Sequence, residues 1–364
     1  MTIYDEVLSF IDAPKQARFE ALALQVFRHQ FDTVTPYREY CTRGGVNPSR
    51  IGSIDDIPAL STLAFKYANL TDSVTNLSPS DGRTFSTSGT SAGLDERGRH
   101  HIPRVDIYHA SAMSHLRRMF FADGTRMPVL SLHPPADRMP DSSLGQMISW
   151  AMDEFGLGAG RCVADRKGVD TAAALDFLRE AQSDGAPVCV MTTTAALGAL
   201  FDAMRSAGVR LALAPGSRLM DTGGAKGQRI PLGPEEVIQH SAALLGIDPS
   251  LVVNEYGMTE MCSQLYDATP FNSRRSDHPA RRRKLGPAWL EVAAVDPATL
   301  ERLPDGHPGL LRFFDLANVG SVSAILTGDL GVVENGFVQV MGRAADGEVR
   351  GCALVIEQFA AKAR

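Results

Sequence analysis

Residues Asn254-Glu255-Tyr256-Gly257-Met258-Thr259-Glu260, continuing through Ser263, Gln264, Tyr266 and Asp267, have the side chains to handle a nucleotide. The preceding run Leu251-Val252-Val253 reads as a buried strand that Gly257 breaks, which leaves Thr259 and Glu260 just beyond a strand end. In open α/β sheets, ligands bind in the crevice past the carboxyl ends of the strands. A hydroxyl can donate to a phosphate oxygen and a carboxylate can hold Mg²⁺, so the pair suits an ATP-dependent site. The same residues also fit a plainer arrangement, a strand end followed by a helix that Thr259 caps.

Three further clusters carry compatible chemistry. Phe85-Ser86-Thr87-Ser88-Gly89-Thr90-Ser91-Ala92-Gly93 is rich in hydroxyls and glycine. Such a loop brings backbone amides close to phosphate oxygens, although without a following Gly-Lys-Ser/Thr it is not a Walker A loop and also fits a flexible linker. In Met220-Asp221-Thr222-Gly223-Gly224-Ala225-Lys226-Gly227 the paired glycines let a flat base lie on the backbone, with Lys226 as a nearby cation. A tight turn with an exposed lysine is the alternative. Thr327-Gly328-Asp329-Leu330-Gly331 precedes Gly342-Arg343. An acid can accept both hydroxyls of a ribose and an arginine can cover ribose and phosphate, or the segment is a hairpin whose turn Asp329 supports.

The elements that must position these clusters alternate. Residues 1–45 read as helical up to Gly44-Gly45, and 57–66 as a linker into the next layer. Thr84 to Gly93 reads as a loop. Helices are expected over 106–121, 144–155 (capped by Asp141-Ser142-Ser143), 171–183, 195–206 and 234–245, and strands at 129–132, 188–191, 218–220 and before Asn254. This spacing predicts a largely parallel, doubly wound sheet. From about 287, short runs at 289–295, 309–315, 323–326 and 336–340, separated by Gly, Pro and Asp, predict a more antiparallel, β-rich subdomain.

Composition narrows the classes. At 364 residues with 44% hydrophobic and 21% charged residues, the chain has ordinary globular proportions and can bury a large core. A net charge of −6 argues against a nucleic-acid partner, and the basic segment around Arg274, Arg275 and Arg281-Arg282-Arg283-Lys284 reads as a solvated loop. The five cysteines, at 41, 162, 189, 262 and 352, have neither CxxC nor zinc spacing, which suggests reduced thiols. The acidic start and the absence of a membrane-length apolar run predict a cytoplasmic protein without a membrane partner.

In this order, the Ser/Thr/Gly loop, the Gly-Gly loop, Tyr-Gly-Met-Thr-Glu, Thr-Gly-Asp and Gly-Arg resemble the acyl-adenylating superfamily of acyl-CoA synthetases, adenylation domains and luciferases. Within it the chain is most similar to acyl-protein synthetases of the LuxE type. That likeness runs through Ile57-Pro58 with Phe65-Lys66, Asp141-Ser142-Ser143-Leu144, Thr222-Gly223-Gly224, Tyr256 to Asp267, Asp315-Leu316-Ala317-Asn318 and Arg350-Gly351-Cys352. The resemblance implies an α/β fold with doubly wound mixed sheets and a β-rich subdomain, lacking the usual C-terminal domain. The acyl-adenylating domain would span 1–343: a helical segment to about 70, an α/β body over about 71–285 and the β-rich subdomain over about 286–343. A short tail with Cys352 would occupy 344–364.

It also implies ATP- and Mg²⁺-dependent activation of a fatty or aryl acid to an acyl-adenylate, with release of pyrophosphate and transfer to a protein thiol. Carried across by motif, Ser88, Gly89, Thr90 and Ser91 would hold the β- and γ-phosphates, and Gly223 and Gly224 would border the adenine beside Tyr256 and Gly257. Thr259 would contact the α-phosphate, Glu260 would bind Mg²⁺, and Asp329 and Arg343 would hold the ribose. Cys352 would carry the thioester. The superfamily's C-terminal lysine has no clear counterpart, and Lys226 is the first candidate for the missing cation, with Arg343 second. The acceptor would be a reductase or an acyl carrier protein. Two other readings stand beside this one: direct transfer to coenzyme A or a carrier protein with Cys352 structural, and a nucleotide-binding module without catalysis.

Overall fold

The computed structural model describes residues 1–73, 82–87, 97–158, 160–223, 232–269 and 283–344. The chain divides into two compact units. The first takes in Met1–Ser114, Met258–Gln264 and the segment beginning at Arg283, and the second takes in His115–Gly257 and the segment beginning at Leu265.

In the first unit the N-terminal residues form helices Ile3–Asp12, Phe19–Thr33 and Thr35–Arg43. A capping box between Thr2 and Asp5 starts the first helix, and Pro36 opens the third at a position where no amide is needed. The C-terminal strands make an antiparallel sheet in the order Leu290–Val295, Pro308–Asp315, Ala324–Glu334, Phe337–Arg343 and Lys284–Leu285. Segments far apart in sequence are joined by buried polar contacts. The Gln30 amide donates to the carbonyls of Asn318 and Val319 and to Ser323 Oγ, at 3.0, 3.2 and 2.9 Å.

Several local expectations change here. Leu60–Ser61 is not a linker but a strand pairing in parallel with Ala324–Glu334, because Leu60 is fully buried and its backbone groups need partners. Thr84 to Ser86 belong to the strand Arg83–Ser86, which pairs with Arg99–Ile102, so the small-residue loop begins later than expected. Ala324–Glu334 runs on through Thr327-Gly328-Asp329 as one strand, and the hairpin turn falls at Asn335 and Gly336, both in the left-handed region. Lys284 is buried in a strand and Arg283 pairs with Glu334 at 2.5 Å, so the basic segment is not solvated at that end.

The second unit is a sheet in the order Leu265–Asp267, Val252–Tyr256, Arg218–Thr222, Cys189–Thr193, Val129–Ser131 and Arg161–Cys162, parallel except for Leu265–Asp267. Helices Ser143–Phe155, Thr171–Asp184, Thr194–Ser206 and Pro234–Leu245 belong to the same unit. Ser142, Asp170 and Thr193 cap the first three, and Gly185 and Gly246 end the second and fourth in left-handed conformations. Leu130, Val190, Leu219 and Val252 from the strands and Leu178 and Leu200 from the helices are all fully buried in one core.

Arg218 is the unusual member of that unit, a guanidinium only 1% exposed. It donates to the Phe120 carbonyl at 2.8 Å and to both carboxylate oxygens of Asp123 at 3.1 and 2.8 Å, which holds the Asp123 carboxyl at about 2. Asp123→Asn takes charge from the partner of a buried cation and is expected to destabilise the fold by about 1–3 kcal/mol. Because the folded carboxyl is lowered, its contribution is present above the unfolded value of about 4 and is lost as pH falls toward about 2. Denaturant melts of wild type and variant across that range check this, and parallel stability–pH curves would refute it.

Candidate functional site

Glu260 is central to the site in the first unit. Gly257 ends the strand Val252–Tyr256, and Thr259 and Glu260 then form a turn. No helix follows, so Thr259 is not a cap: the chain passes from the turn to Leu265–Asp267, because the backbone here is held by side chains and does not begin an intrahelical ladder.

Those side chains come from three other segments. His100 Nδ1 donates to the Thr259 carbonyl at 2.8 Å, and Asn318 Nδ2 donates to the Glu260 carbonyl at 2.7 Å. The fully buried Asp315 accepts from Cys262 N at 3.0 Å and from Ser263 Oγ at 2.7 Å. Since Ser263 gives its proton to Asp315, Ser111 must donate to Ser263 (3.0 Å), and it receives the Trp289 indole N–H at 2.8 Å. Burial raises Asp315 to about 6, while these hydrogen bonds favour its charged form.

The Glu260 side chain is only partly exposed, and burial pushes its carboxyl up to about 7. Its own backbone N–H, Arg343 and Lys66 favour the charged form, while Asp329 opposes it. No side chain pairs with it directly among the described residues. Asp329 and Arg343 are cross-strand neighbours, 3.5 Å apart between Oδ1 and Nε, with the Arg343 side chain 87% exposed. No group of three metal-ligating side chains exists among the described residues. A lone, half-buried carboxylate fits Mg²⁺, which is commonly held by one or two carboxylates with substrate phosphates completing its shell.

The structure therefore brings Thr259, Glu260, Asp329 and Arg343 into one unit, three of them electrostatically coupled. In the second unit Gly223 follows the strand Arg218–Thr222 and Tyr256 ends the neighbouring strand, in the register Glu255 to Thr222, with Gly257 next. Ser88, Gly89, Thr90, Ser91, Gly224, Lys226 and Cys352 lie outside the described residues. In the same unit the Thr194 hydroxyl and Asn254 amide donate to Asp221 at 2.7 and 3.1 Å, and Ser142 Oγ, which accepts from Gly145 N, lies 3.0 Å from His133 Nε2. Ser142 is thus a helix cap.

Sequence reading passed over His100 and gave Lys66, Asp315 and Asn318 no role. The spacing Asp315-Leu-Ala-Asn318 carries a usable signal, because an Asp that caps a short turn at its own backbone is placed to accept further amides. His100 offers none: it is one of two adjacent histidines in a strand, and only pairing opposite Phe85 turns it inward.

The profile of the family described as "Acyl-protein synthetase, LuxE" matches residues 4–360. This chain belongs to that family. Two curated relatives, both long-chain-fatty-acid–luciferin-component ligases, are 24% identical over 92% of this chain and 86% of the Vibrio harveyi protein, and 21% identical over 95% and 92% for Aliivibrio fischeri. The LuxE chain is thus a ligase. Its fold is that of a 2-hydroxyisobutyryl-CoA ligase, with a TM-score of 0.62 at 16% identity over 92% of this chain and 79% of the other. No helix among the described residues is long and apolar enough to cross a membrane.

The exposure of Arg343 separates stability from function. An ion pair so open to solvent contributes at most about 1 kcal/mol, so Arg343→Met should leave the thermal midpoint almost unchanged while ATP affinity falls. Calorimetry together with nucleotide titration checks this. A large drop in stability with intact ATP binding would make Arg343 a strand residue only.

Proposed function

We propose that this LuxE-family chain uses ATP and Mg²⁺ to activate a carboxylic acid, and then passes the acyl group to a protein thiol by way of Cys352. The observation that carries the reading is Glu260, a half-buried carboxylate without a direct partner among the described residues, grouped with Asp329 and Arg343 in a chain that matches the acyl-protein synthetase family over residues 4–360. In the first step a substrate carboxylate oxygen bonds to the α-phosphorus and the bond to the β-phosphate oxygen breaks, giving acyl-AMP and pyrophosphate. In the second, a thiolate sulfur bonds to the acyl carbon as the bond to AMP breaks, after the thiol proton has left to solvent.

Residue roles follow the motifs. Ser88, Gly89, Thr90 and Ser91 hold the β- and γ-phosphates, and Thr259 donates to the α-phosphate. Gly223, Gly224, Tyr256 and Gly257 border the base, while Asp329 and Arg343 hold the ribose. Glu260 holds Mg²⁺, and the ion offsets phosphate charge when bound. Charge also builds on the α-phosphate as the five-coordinate phosphorus forms, where a positioned cation lowers the barrier. Lys226 is assigned that role, with Arg343 second. The acid is long-chain, a reading supported by both relatives being long-chain-fatty-acid–luciferin-component ligases. Among the other cysteines, Cys262 is fully buried with its thiol pushed well up by burial, and Cys41 and Cys189 are pushed up to about 12, so none of these supplies a ready thiolate.

Glu260→Gln should lower acid-dependent pyrophosphate release on the order of a hundredfold without loss of thermal stability, since burial already opposes the charge it removes. A wild-type rate would overturn the metal assignment. Incubation with ATP, Mg²⁺ and a radiolabelled long-chain acid should give label released by neutral hydroxylamine. Cys352→Ser should abolish that label while pyrophosphate release continues. Label persisting in Cys352→Ser would refute the thiol assignment. Label on added coenzyme A or carrier protein but never on the chain would refute self-acylation.

A further inference from the structure

We propose that His100 is a positioning residue for the adenylation chemistry: its Nδ1–H holds the Thr259 carbonyl, so that the Thr259 hydroxyl and the Glu260 carboxylate keep one orientation while nucleotide and metal bind. The inference rests on the function proposed above and adds a residue to it.

A carbonyl oxygen can only accept, so the 2.8 Å contact fixes the tautomer with the proton on Nδ1 and leaves Nε2 as an acceptor. That Nε2 is buried, in a residue 1% exposed, and has no hydrogen-bond partner among the described residues. An unpartnered buried acceptor costs stability, and the ring's other contact is apolar: it lies edge-on to Phe65, centroids 5.3 Å apart. What the imidazole alone supplies is the donor to Thr259. Burial holds the ring down at about 4, so it remains neutral and the tautomer persists through the physiological range.

The neighbouring clamp has the same character. Asn318 Nδ2 holds the Glu260 carbonyl and the Val322 carbonyl, at 2.7 and 3.1 Å, while its Oδ1 is buried without a partner. Two consecutive carbonyls are thus gripped by side chains that each leave an acceptor unsatisfied, an arrangement that favours orientation over stability. His100 also ties the turn to a specific place in the chain. It lies opposite Phe85 in the hairpin formed by Arg83–Ser86 and Arg99–Ile102. That hairpin is closed by Thr87 N donating to the Gly98 carbonyl at 2.9 Å, and in sequence it flanks Ser88 to Ser91.

The test compares wild type with His100→Leu, which removes the donor, and His100→Asn, whose amide nitrogen takes the place of Nδ1. All three are assayed well below their thermal midpoints. In His100→Leu, kcat for acid-dependent pyrophosphate release should fall roughly 10–100-fold and the Mg²⁺ concentration for half-maximal rate should rise, with the KM for the acid unchanged. His100→Asn should recover most of both. Amide hydrogen exchange over 258–263 should be faster in His100→Leu and restored in His100→Asn. A folded His100→Leu with wild-type kcat overturns the inference, as does a folded His100→Asn that recovers nothing. If wild type itself releases no pyrophosphate, the proposed function fails separately, and unchanged exchange in His100→Leu would then overturn the clamp.

Discussion

The carboxyl of Asp315 is fully buried, and much of the first unit follows from the hydrogen bonds it needs there. A buried charge is tolerated only when hydrogen bonds replace its hydration. Here the replacements are Cys262 N, Ser263 Oγ and Ala317 N, so solvating Asp315 also fixes the backbone of the segment that carries Glu260. Ser263 brings Ser111 and Trp289 into the network, and Asn318, three residues beyond Asp315, reaches the Glu260 carbonyl. Gln30 in turn holds the Asn318 carbonyl from the N-terminal helices. One desolvated acid thereby joins helix, strand and turn.

With its backbone held in this way, Glu260 does not need partners of its own. Its environment disfavours charge through burial and through Asp329, and favours it through Arg343 and Lys66. A lysine or arginine paired with it directly would compete with the Mg²⁺ proposed to bind there. The exposed Arg343, anchored only weakly to Asp329, is free to redirect toward a ligand at small cost. Rigidity therefore resides in buried carbonyl and carboxylate contacts, while the Arg343 side chain stays open to solvent.

The sequence alone determined the period of the chain and hence its architecture. Alternating apolar runs and capped helices over 129–256 are written in local signals (Ser142, Asp170, Thr193, Gly246), and each forms where its residues predict because capping and left-handed glycine act within a few residues. The family was legible for a related reason: Tyr256-Gly257-Met258-Thr259-Glu260 and Thr327-Gly328-Asp329 are contiguous strings. What sequence could not decide was which residues meet across long separations. Leu60–Ser61 looked like a linker because two residues have no period, and only the neighbouring Ala324–Glu334 strand makes them part of a sheet. The alternative of Asp329 as a turn residue falls only with the structure, where cross-strand pairing with Arg343 holds it extended. His100 gave no signal at all, since its role lies in a hydrogen bond to a residue 159 positions away. Burial decided the rest: a carboxylate reads the same in any sequence, and only the tertiary environment lowers Asp123 beside Arg218 and raises the half-buried Glu260.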